Sequence, residues 1–244
     1  GKGQIIGKDG NEAGDVVGYV DSFASGSRVP SAFVRRAGGE FEVSQAPGAD
    51  VLNGTVATGI DGAGRVVGQY TNTSGLTRGF VLEGNDFQPF DVPDSWSTQV
   101  NDISDGGIIV GRSFLDSDPE IGTAFMRIGD QYSFFRPEDA RGPFGVSYEG
   151  VNDFGNTVGM VLEEEGFRAF AILDGIYMPF SIPGSSMTIA QGINDRNQIV
   201  GTYDDGAETR GFLMDATGLY RIDVPASVSK ETFLQSVNDA GVIV

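Results

Sequence analysis

The sequence predicts an all-β protein, and more narrowly a β-propeller built from four-stranded blades. The first observation is a phrase close to Ile-Asn-Asp-x-Gly-x-Ile-Val-Gly that recurs along the whole chain. Its closing glycines are separated by 50, 43, 48 and 42 residues, which is the spacing of solenoid repeats and propeller blades. The second observation is that each repeat holds four short segments rich in β-branched and aromatic residues, separated by turn signals. A linear β-solenoid is the alternative architecture.

The repeat runs from one end of the chain to the other. Its clearest copy spans residues 193–201, and related copies begin at Asn11, Ile60 and Val151. A stretched copy runs from Val100-Asn101-Asp102 to Gly111, and a last copy begins at Val237. We therefore interpret residues 1–244 as a single repeat domain. Its repeat-defining glycines are Gly18, Gly68, Gly111, Gly159 and Gly201.

Within one repeat, residues 199–203, 211–214, 219–224 and 232–237 are the expected strands, because each segment is too short for a stable helix. Asn-Asp-x-Gly between two such segments predicts a hairpin turn, with a repeated ligand-binding Asn-Asp pair as the functional alternative. One phenylalanine in each Gly-Phe or Ala-Phe segment is expected to fill the core between sheets. These residues are Phe80, Phe125, Phe170 and Phe212.

The segments make about 22 strands, which is five full blades and a half blade around a ring of five or six positions. If the Asn-Asp turn joins the third strand of a blade to the fourth, the chain starts with the half blade. An apolar unpaired edge recruits further strands, so we expect an assembly edge, completed by an identical chain or by residues beyond Val244. The edge residues are Gln4, Ile5, Ile6, Val242, Ile243 and Val244.

Charge and composition exclude several classes of function. With 34 acidic and 16 basic residues the formal charge is -18, which disfavours nucleic acid and anionic membranes as partners. The sequence contains no cysteine and no histidine, so disulfides, triad hydrolases and zinc or haem sites are not expected. No apolar run is long enough to insert across a membrane. The expected partners are further copies of this chain or a surface glycan.

Several motifs resemble the HAF family of extracellular repeat proteins, which is named for a His-Ala-Phe version of the Gly-Phe segment. The resemblance covers nearly the whole chain and is clearest for Gly-Ile-Asn-Asp at 192–195, Ile-Val-Gly at 199–201, Gly-Phe-Leu at 211–213 and Ile-Asp-Val-Pro at 222–225. It implies secretion, an extracellular or cell-surface location and a propeller, and little about chemistry. The chain departs from the family where histidine is often found, at or near Arg78, Thr123, Arg168 and Arg210.

Two acidic loops are the candidate metal sites, because carboxylate and carbonyl oxygens suit calcium. Neither loop has the full spacing of a known calcium loop, so solvated turns are the simpler interpretation. No cofactor other than calcium is expected. The candidate ligands are Asp116, Asp118 and Glu120 in one loop and Asp204, Asp205 and Glu208 in the other.

Trp96 is the candidate ligand-binding residue, because a single tryptophan in one loop is suited either to stack on a sugar or to cap the core. Paired carboxylates are the remaining catalytic option, but no pair is marked by its spacing, and we predict that the chain is not an enzyme. The predicted function is a secreted, non-enzymatic structural or adhesive surface module that self-assembles into a ring or filament through its incomplete blade. A lectin-type carbohydrate-binding propeller is the alternative, and a carboxylate-based glycosidase is the third reading.

Overall fold

A computed structural model describes residues 4–24, 27–50, 53–225, 229 and 231–244. Its twenty strands form five antiparallel sheets of four strands each, arranged as a five-bladed β-propeller, and the described residues contain no helix. This confirms the predicted all-β propeller and rules out the linear solenoid. In the part of the chain that is described, no helix is long and apolar enough to cross a membrane.

The blades follow one another along the chain. The first contains β1 (Ile5–Gly10), β2 (Val16–Ala24), β3 (Ser27–Arg35) and β4 (Phe41–Ser44). The second contains β5 (Thr55–Ile60), β6 (Val66–Thr71), β7 (Thr77–Glu83) and β8 (Asp86–Phe90). The third contains β9 (Ser95–Ile103), β10 (Ile108–Leu115), β11 (Asp118–Ile128) and β12 (Gln131–Phe135). The fourth contains β13 (Val146–Val151), β14 (Thr157–Glu163), β15 (Gly166–Leu173) and β16 (Ile176–Phe180). The fifth contains β17 (Met187–Ile193), β18 (Ile199–Asp204), β19 (Thr209–Asp215) and β20 (Gly218–Ile222).

The first strand of each blade lies next to the axis of the propeller. β1, β5, β9, β13 and β17 contact one another in turn, whereas all of β4 and most of β20 face solvent. The Asn-Asp turns therefore join the first strand of a blade to the second, and not the third to the fourth. The blade boundaries are shifted by two strands from the predicted ones, and the chain begins with a complete blade.

The half blade lies at the carboxyl end, in a hairpin formed by residues 232–244. The Gln235 N–H donates to the Val244 carbonyl oxygen (2.7 Å), and Val237 and Ile243 form an isolated bridge. Leu234 packs against the fifth blade, whereas Val244 lies against β1 of the first blade. The hairpin thus fills a sixth place around the axis, between the last blade and the first. Its two segments, added to the twenty strands, account for the predicted count of about 22.

The repeat-defining glycines are required by a close approach of two strands. Each lies in the second strand of a blade, opposite a bulge in the first strand. A Cβ atom at Gly159 would overlap the carbonyl oxygen of Ser147 and would lie 3.0 Å from the ring of Phe170. The same two obstacles, a carbonyl oxygen and a phenylalanine ring from the third strand, recur at Gly18, Gly68, Gly111 and Gly201.

The phenylalanines of the repeat fill the core between blades, as predicted. Phe125, Phe170 and Phe212 are fully buried and Phe80 is nearly so. Phe170 packs with Val110 and Ala124 of the third blade, and so joins two blades through apolar contact. Burial of such a ring contributes on the order of 2–3 kcal/mol, and the ring is held in one place by the glycine beneath it.

We expect Gly159→Ala to destabilise the propeller by about 3 kcal/mol or more, because the methyl group has no space and the bulge cannot relax without moving Phe170. Urea denaturation of the variant measures the change in the free energy of unfolding. Gly38→Ala is the matched control, since nothing lies within 4 Å of the added methyl group, and we expect a change within about 0.5 kcal/mol. Equal stability of the two variants would contradict the close-approach explanation.

Candidate functional site

The bulge in each first strand turns one additional side chain toward the axis. The residues skipped by the strand pairing are Lys8, Thr58, Asn101, Glu149 and Gln191, and Gln235 of the terminal hairpin joins them. Together with Asp9, Asp102 and Ser236, these residues line a cavity of about 490 Å³ including its opening. We call this cavity, with the mouth described below, the axial channel.

Hydrogen bonds run around the wall of the axial channel. Lys8 Nζ donates to Gln235 Oε1 (2.7 Å), and Gln235 Nε2 donates to Gln191 Oε1 (2.6 Å). Asn101 Nδ2 donates to the carbonyl oxygen of Tyr148 (2.8 Å) in the next blade. The side chains from the first, third and fifth blades and from the hairpin are thereby held in fixed orientations, which preorganises the site.

Two buried carboxylates form the next layer along the axis. Asp9 Oδ2 accepts the N–H of Ile60 (2.8 Å), and Asp102 Oδ2 accepts the N–H of Val151 (2.9 Å). Each carboxylate therefore ties its own blade to the following one. Ser236 of the hairpin donates to Asp9 Oδ1 (2.5 Å), which adds the end of the chain to the same layer.

An acid ring surrounds the mouth of the axial channel on the side of the Asn-Asp turns. The N–H of Asp153 donates to Asp195 Oδ1 (2.9 Å), that of Asp195 to Asp239 Oδ1 (2.7 Å), and that of Asp239 to Glu12 Oε1 (2.8 Å). Asp105 accepts the N–H of Gly62 in the same way. The mouth encloses about 450 Å³ including open solvent. The acid ring consists of Glu12, Asp105, Asp153, Asp195 and Asp239.

The asparagine of each Asn-Asp pair has the predicted turn role and a second one. Asn194 Oδ1 accepts the N–H of Gln198 (3.0 Å) within its turn, while its Nδ2 donates to the carbonyl oxygen of Asn238 (3.0 Å) in the hairpin. Asn152 likewise donates to the carbonyl oxygen of Asn194 (3.1 Å). The asparagines are therefore occupied by the fold, whereas the acids beside them face the open mouth.

The stretched copy of the repeat in the third blade is a misalignment. Asn101 and Asp102 lie inside β9, and the turn that follows is built from Ser104 and Asp105. The Ser104 hydroxyl takes the place of an asparagine carbonyl by accepting the N–H of Ile108 (3.4 Å). Because serine was not expected at this position, the sequence pattern matched the Asn-Asp pair three residues too early.

Burial changes the protonation of the acids at the axis. Burial, together with the nearby charge of Asp9, raises the pKa of Asp102 well above its ordinary value of 3.8. Burial also raises the pKa of Asp9, against the hydrogen bonds that it accepts. At the acid ring the pKa of Asp195 is raised by burial and by repulsion from Asp239 and Asp153.

Glu149 and Lys8 are a pair of titratable groups whose pKa values move toward each other. Burial raises the pKa of Glu149, although the Ser147 hydroxyl and the charges of Arg112 and Lys8 act in the opposite direction. Burial lowers the pKa of Lys8, against the attraction of Glu149. A carboxyl group and an amine shifted in this way in one cavity are candidate groups for proton exchange with a bound molecule.

A second cluster lies at the ends of the strands away from the Asn-Asp turns, between the third and fourth blades. Trp96 packs against Phe114 with 5.0 Å between ring centroids and the ring planes tilted by 37°, and Phe144 meets Phe167 edge-on at 5.4 Å. The guanidinium of Arg112 lies 5.6 Å from the centre of the Phe114 ring and 5.4 Å from that of Phe144. We call these five residues the aromatic platform. Trp96, the predicted ligand-binding residue, is therefore part of a group of rings.

The first candidate calcium loop is held by an ion pair. Asp118 contacts Arg136 (2.8 Å), and the N–H of Asp116 donates to the carbonyl oxygen of Asp94 (2.8 Å). Glu120 follows in β11 and is exposed. This loop lies on β11 and does not line the axial channel.

The second candidate loop is likewise occupied by an arginine. Asp205 and Glu208 both contact Arg210, at 2.9 and 2.6 Å, and Asp204 accepts the N–H of Gly206 (2.7 Å). Among the residues that the structure describes, no three acids are grouped in a way that could hold a metal ion. Calcium binding stays a prediction from the sequence.

The predicted assembly edge divides between two parts of the fold. Ile5 and Ile6 pair with Val20 and Tyr19, so they belong to a complete blade, and the Gln4 carbonyl oxygen accepts the N–H of Asp21 (2.8 Å). The other predicted edge residues form the second segment of the terminal hairpin, where Val242 is 58% exposed. They are Val242, Ile243 and Val244.

No family model and no curated protein matches this sequence. Several solved structures share the fold, among them two lyases. One is a catalytically inactive histidine-to-alanine variant of virginiamycin B lyase from Staphylococcus aureus with quinupristin, at TM-score 0.54 and 12% identity over 99% of this chain and 80% of that one. The other is a streptogramin B lyase, at TM-score 0.53 and 11% identity over 98% and 89%. At this identity the likeness concerns the fold alone.

The likeness corrects the prediction that the chain is not an enzyme. Both neighbours are lyases, so the architecture that we took to indicate a non-enzymatic module also carries catalysis. The prediction was wrong because it treated the absence of histidine and cysteine, and of an inward-facing set of acids, as decisive. The axial channel contains such a set, formed by Asp9, Asp102 and Glu149.

We expect the thermal stability of the protein to rise as the pH is lowered from about 8 toward the ordinary carboxyl range of about 4. The folded-state pKa values of Asp9, Asp102, Asp105, Glu149 and Asp195 are raised, so the folded chain binds more protons than the unfolded chain, and stability is lost as pH rises through these values. Below about pH 4 the stability falls again as the pH is lowered, because acids with lowered pKa values, such as Asp205 at about 2, must then be protonated.

Melting temperatures across this pH range test the expectation. Asp102→Asn removes one of the buried charges and preserves the shape of the side chain, so its melting temperature should depend less steeply on pH than that of the unaltered protein. Glu164→Gln, on an exposed turn, is the control that should leave the dependence unchanged. A wild-type stability that falls steadily from pH 8 to pH 5 would contradict the assignment of raised pKa values at the axis.

Proposed function

We propose that the axial channel binds a small, neutral, polyhydroxylated ligand of the saccharide class. The observation that carries this proposal is the lining of the cavity, in which every residue has an amide, hydroxyl, carboxyl or ammonium group. Sugar hydroxyls require donors and acceptors at close spacing, and such groups come from five blades and the hairpin at one level. We therefore propose the axis of the propeller as the site for the carbohydrate-binding alternative.

Charge agrees with a ligand of this class. The acid ring at the mouth and the formal charge of -18 repel anions, which disfavours phosphorylated or carboxylated molecules. An apolar ligand would take water away from the donors and acceptors of the wall that are not paired within the protein, and each such loss costs about 1–3 kcal/mol.

Acid–base chemistry at the same site is a second candidate function, favoured by the shifted pKa values of Glu149 and Asp102. A protonated Glu149 would donate its proton to the oxygen of a leaving group. An ionised carboxylate across the channel would accept a proton from water or from the ligand itself. When the carboxylate takes the proton from water, the reaction is hydrolysis of a glycoside. When it takes the proton from the ligand, the reaction is elimination, so one pair of groups serves either reaction.

The substrate of the structural neighbours is not extended to this chain. One neighbour is inactive when a histidine is replaced by alanine, and these 244 residues contain no histidine. If this propeller is catalytic, its proton transfers depend on carboxylates and on Lys8. That difference in catalytic groups supports a different reaction on the same fold.

A secreted role as a structural or adhesive surface module, with self-association into a ring or filament, is carried forward as our proposal from the sequence. The exposed side chain of Val242 supports the self-association, because apolar edge segments recruit further strands. We expect the particle size measured by light scattering to grow with protein concentration, and Val242→Asp to reduce that growth. A strictly monomeric protein at all concentrations would contradict it.

Binding in the axial channel is tested by calorimetric titration with a panel of neutral mono- and disaccharides. We expect saturable binding of at least one of them, and a loss of affinity of about tenfold or more in Gln191→Ala, which removes a hydrogen-bonding group of about 1.4 kcal/mol. Glu149→Gln should retain binding and abolish any turnover of a glycoside. Glu164→Gln is the control for removal of a carboxylate on the surface.

Two results would overturn the proposal. One is the absence of saturable binding to every sugar in the panel. The other is an unchanged affinity in Gln191→Ala, because that side chain lies in the wall and is hydrogen-bonded to Gln235. Melting curves of each variant establish that a lost affinity reflects the site and not unfolding.

A further inference from the structure

The aromatic platform departs from the sequence repeat at two equivalent positions, which are occupied by its exposed rings, Trp96 and Phe144. Trp96 lies four residues before Val100, which pairs with Gly111, and Phe144 lies four residues before Tyr148, which pairs with Gly159. The equivalent position in the fifth blade is Ser186, which precedes Ala190 by the same interval. A fold that needs only a polar residue at this position therefore has an aromatic one in two adjacent blades.

The two rings are supported and still open to solvent. Trp96 is 42% exposed and rests on Phe114, while Phe144 is 48% exposed and rests on the edge of Phe167. Capping of the core does not require this exposure, because a capping ring would lie face down on buried residues. Rings that are fixed from below and free on one side can bind a flat partner without loss of side-chain freedom.

The guanidinium of Arg112 in the platform directs its N–H groups at acceptors of the protein itself. Arg112 Nε donates to Gln99 Oε1 (3.1 Å), and Nη1 donates to the carbonyl oxygen of Phe144 (3.3 Å). The guanidinium is also half-buried between the two phenylalanine rings. It is therefore held as part of the surface and is poorly placed to clamp a carboxylate or a phosphate, which needs two free parallel N–H groups.

Charge decides which partner fits this surface. A strongly acidic ligand is repelled by the formal charge of -18. A basic peptide is opposed locally by Arg112. A neutral molecule with apolar flat faces and hydroxyl groups at its edges satisfies both conditions, because C–H groups stack on aromatic rings while hydroxyls reach the carbonyl oxygen and amide at the rim.

We propose that the aromatic platform is a second carbohydrate site, at which Trp96 and Phe144 stack on pyranose rings of a neutral oligosaccharide. The site lies at the strand ends away from the Asn-Asp turns and shares no residue with the lining of the axial channel. It does not depend on ligand binding in the channel. Two rings from adjacent blades favour oligosaccharides over single sugars, since each ring takes one sugar unit.

The fluorescence of Trp96 reports on this site directly, because it is the only tryptophan in the sequence. The probes are maltohexaose, cellohexaose, xylohexaose and laminarihexaose. We expect a saturable shift of the emission with at least one of them, and an affinity at least about tenfold lower in Phe144→Ala. Phe154→Ala removes another exposed phenylalanine, 71% exposed on an Asn-Asp turn, and should leave the titration unchanged.

Further variants separate this proposal from that of the axial channel and from a loss of folding. Gln191→Ala should lose sugar binding in the channel and retain the Trp96 titration. Trp96→Phe, followed by calorimetry, should retain most of the affinity because a ring is still present. Melting curves show which variants are folded, and Phe144→Leu replaces Phe144→Ala if the latter is not.

The proposal is overturned if none of the four neutral probes gives a saturable shift. It is also overturned if Phe144→Ala, or its Leu replacement, binds as tightly as the unaltered protein, or if a sulfated oligosaccharide binds more tightly than every neutral probe. A Trp96 titration that disappears in Gln191→Ala would show a single shared ligand and would overturn the assignment of two separate sites.

Discussion

The contact between a bulged first strand and the repeat-defining glycine of the second strand is the constraint on which the rest of the structure depends. The bulge directs a carbonyl oxygen against the glycine, and only the absence of a Cβ allows the strands to pair there. The third-strand phenylalanine then covers the glycine and forms the core between blades. The same bulge turns a side chain such as Glu149 away from the sheet and toward the axis, so one local irregularity produces both the core and the functional surface.

A ring of closely spaced acids at the mouth of a channel is electrostatically unfavourable, and the fold offsets part of this cost. Each acid accepts a backbone N–H from the turn of a neighbouring blade, as Asp195 does from Asp153. The hairpin at the end of the chain continues the pattern through Asp239 and Glu12, and so joins the last blade to the first without a shared sheet. Burial, together with the repulsion that is left, raises the pKa values of Asp105 and Asp195.

The architecture was predictable because the same pattern of short strands and turns recurs along the whole chain. Short strands, the closing glycines and the phenylalanines were all assigned correctly, and each is fixed by local backbone or packing requirements. The blade boundaries were assigned wrongly, because a repeat of four strands has the same period wherever it is divided into blades. Only the position of the axis decides which strand of a blade comes first. Within the site, Lys8 and Glu149 were missed, since each occupies a position where other blades have Thr58 or Gln191 and no shared pattern marks it. The signal that could have revealed them is this variation itself, three residues before each turn.

The side chain that varies from blade to blade at this position also determines the chemistry of the axis. The strand geometry presents one side chain per blade at the same level of the axis, and the fold does not depend on which side chain it is. Two lyases with the same architecture and about one residue in eight in common show that catalysis can be added to this framework, and one of them is inactive without a particular histidine. This chain has carboxylates and one lysine at its axis. Burial raises the pKa of Glu149 while the charges of Arg112 and Lys8 oppose the rise, so the group that we propose for proton transfer is a carboxyl and not a histidine. If the channel binds a ligand as we propose, turnover depends on where the ligand's own labile proton or leaving oxygen lies relative to Glu149, and not on the propeller that surrounds it.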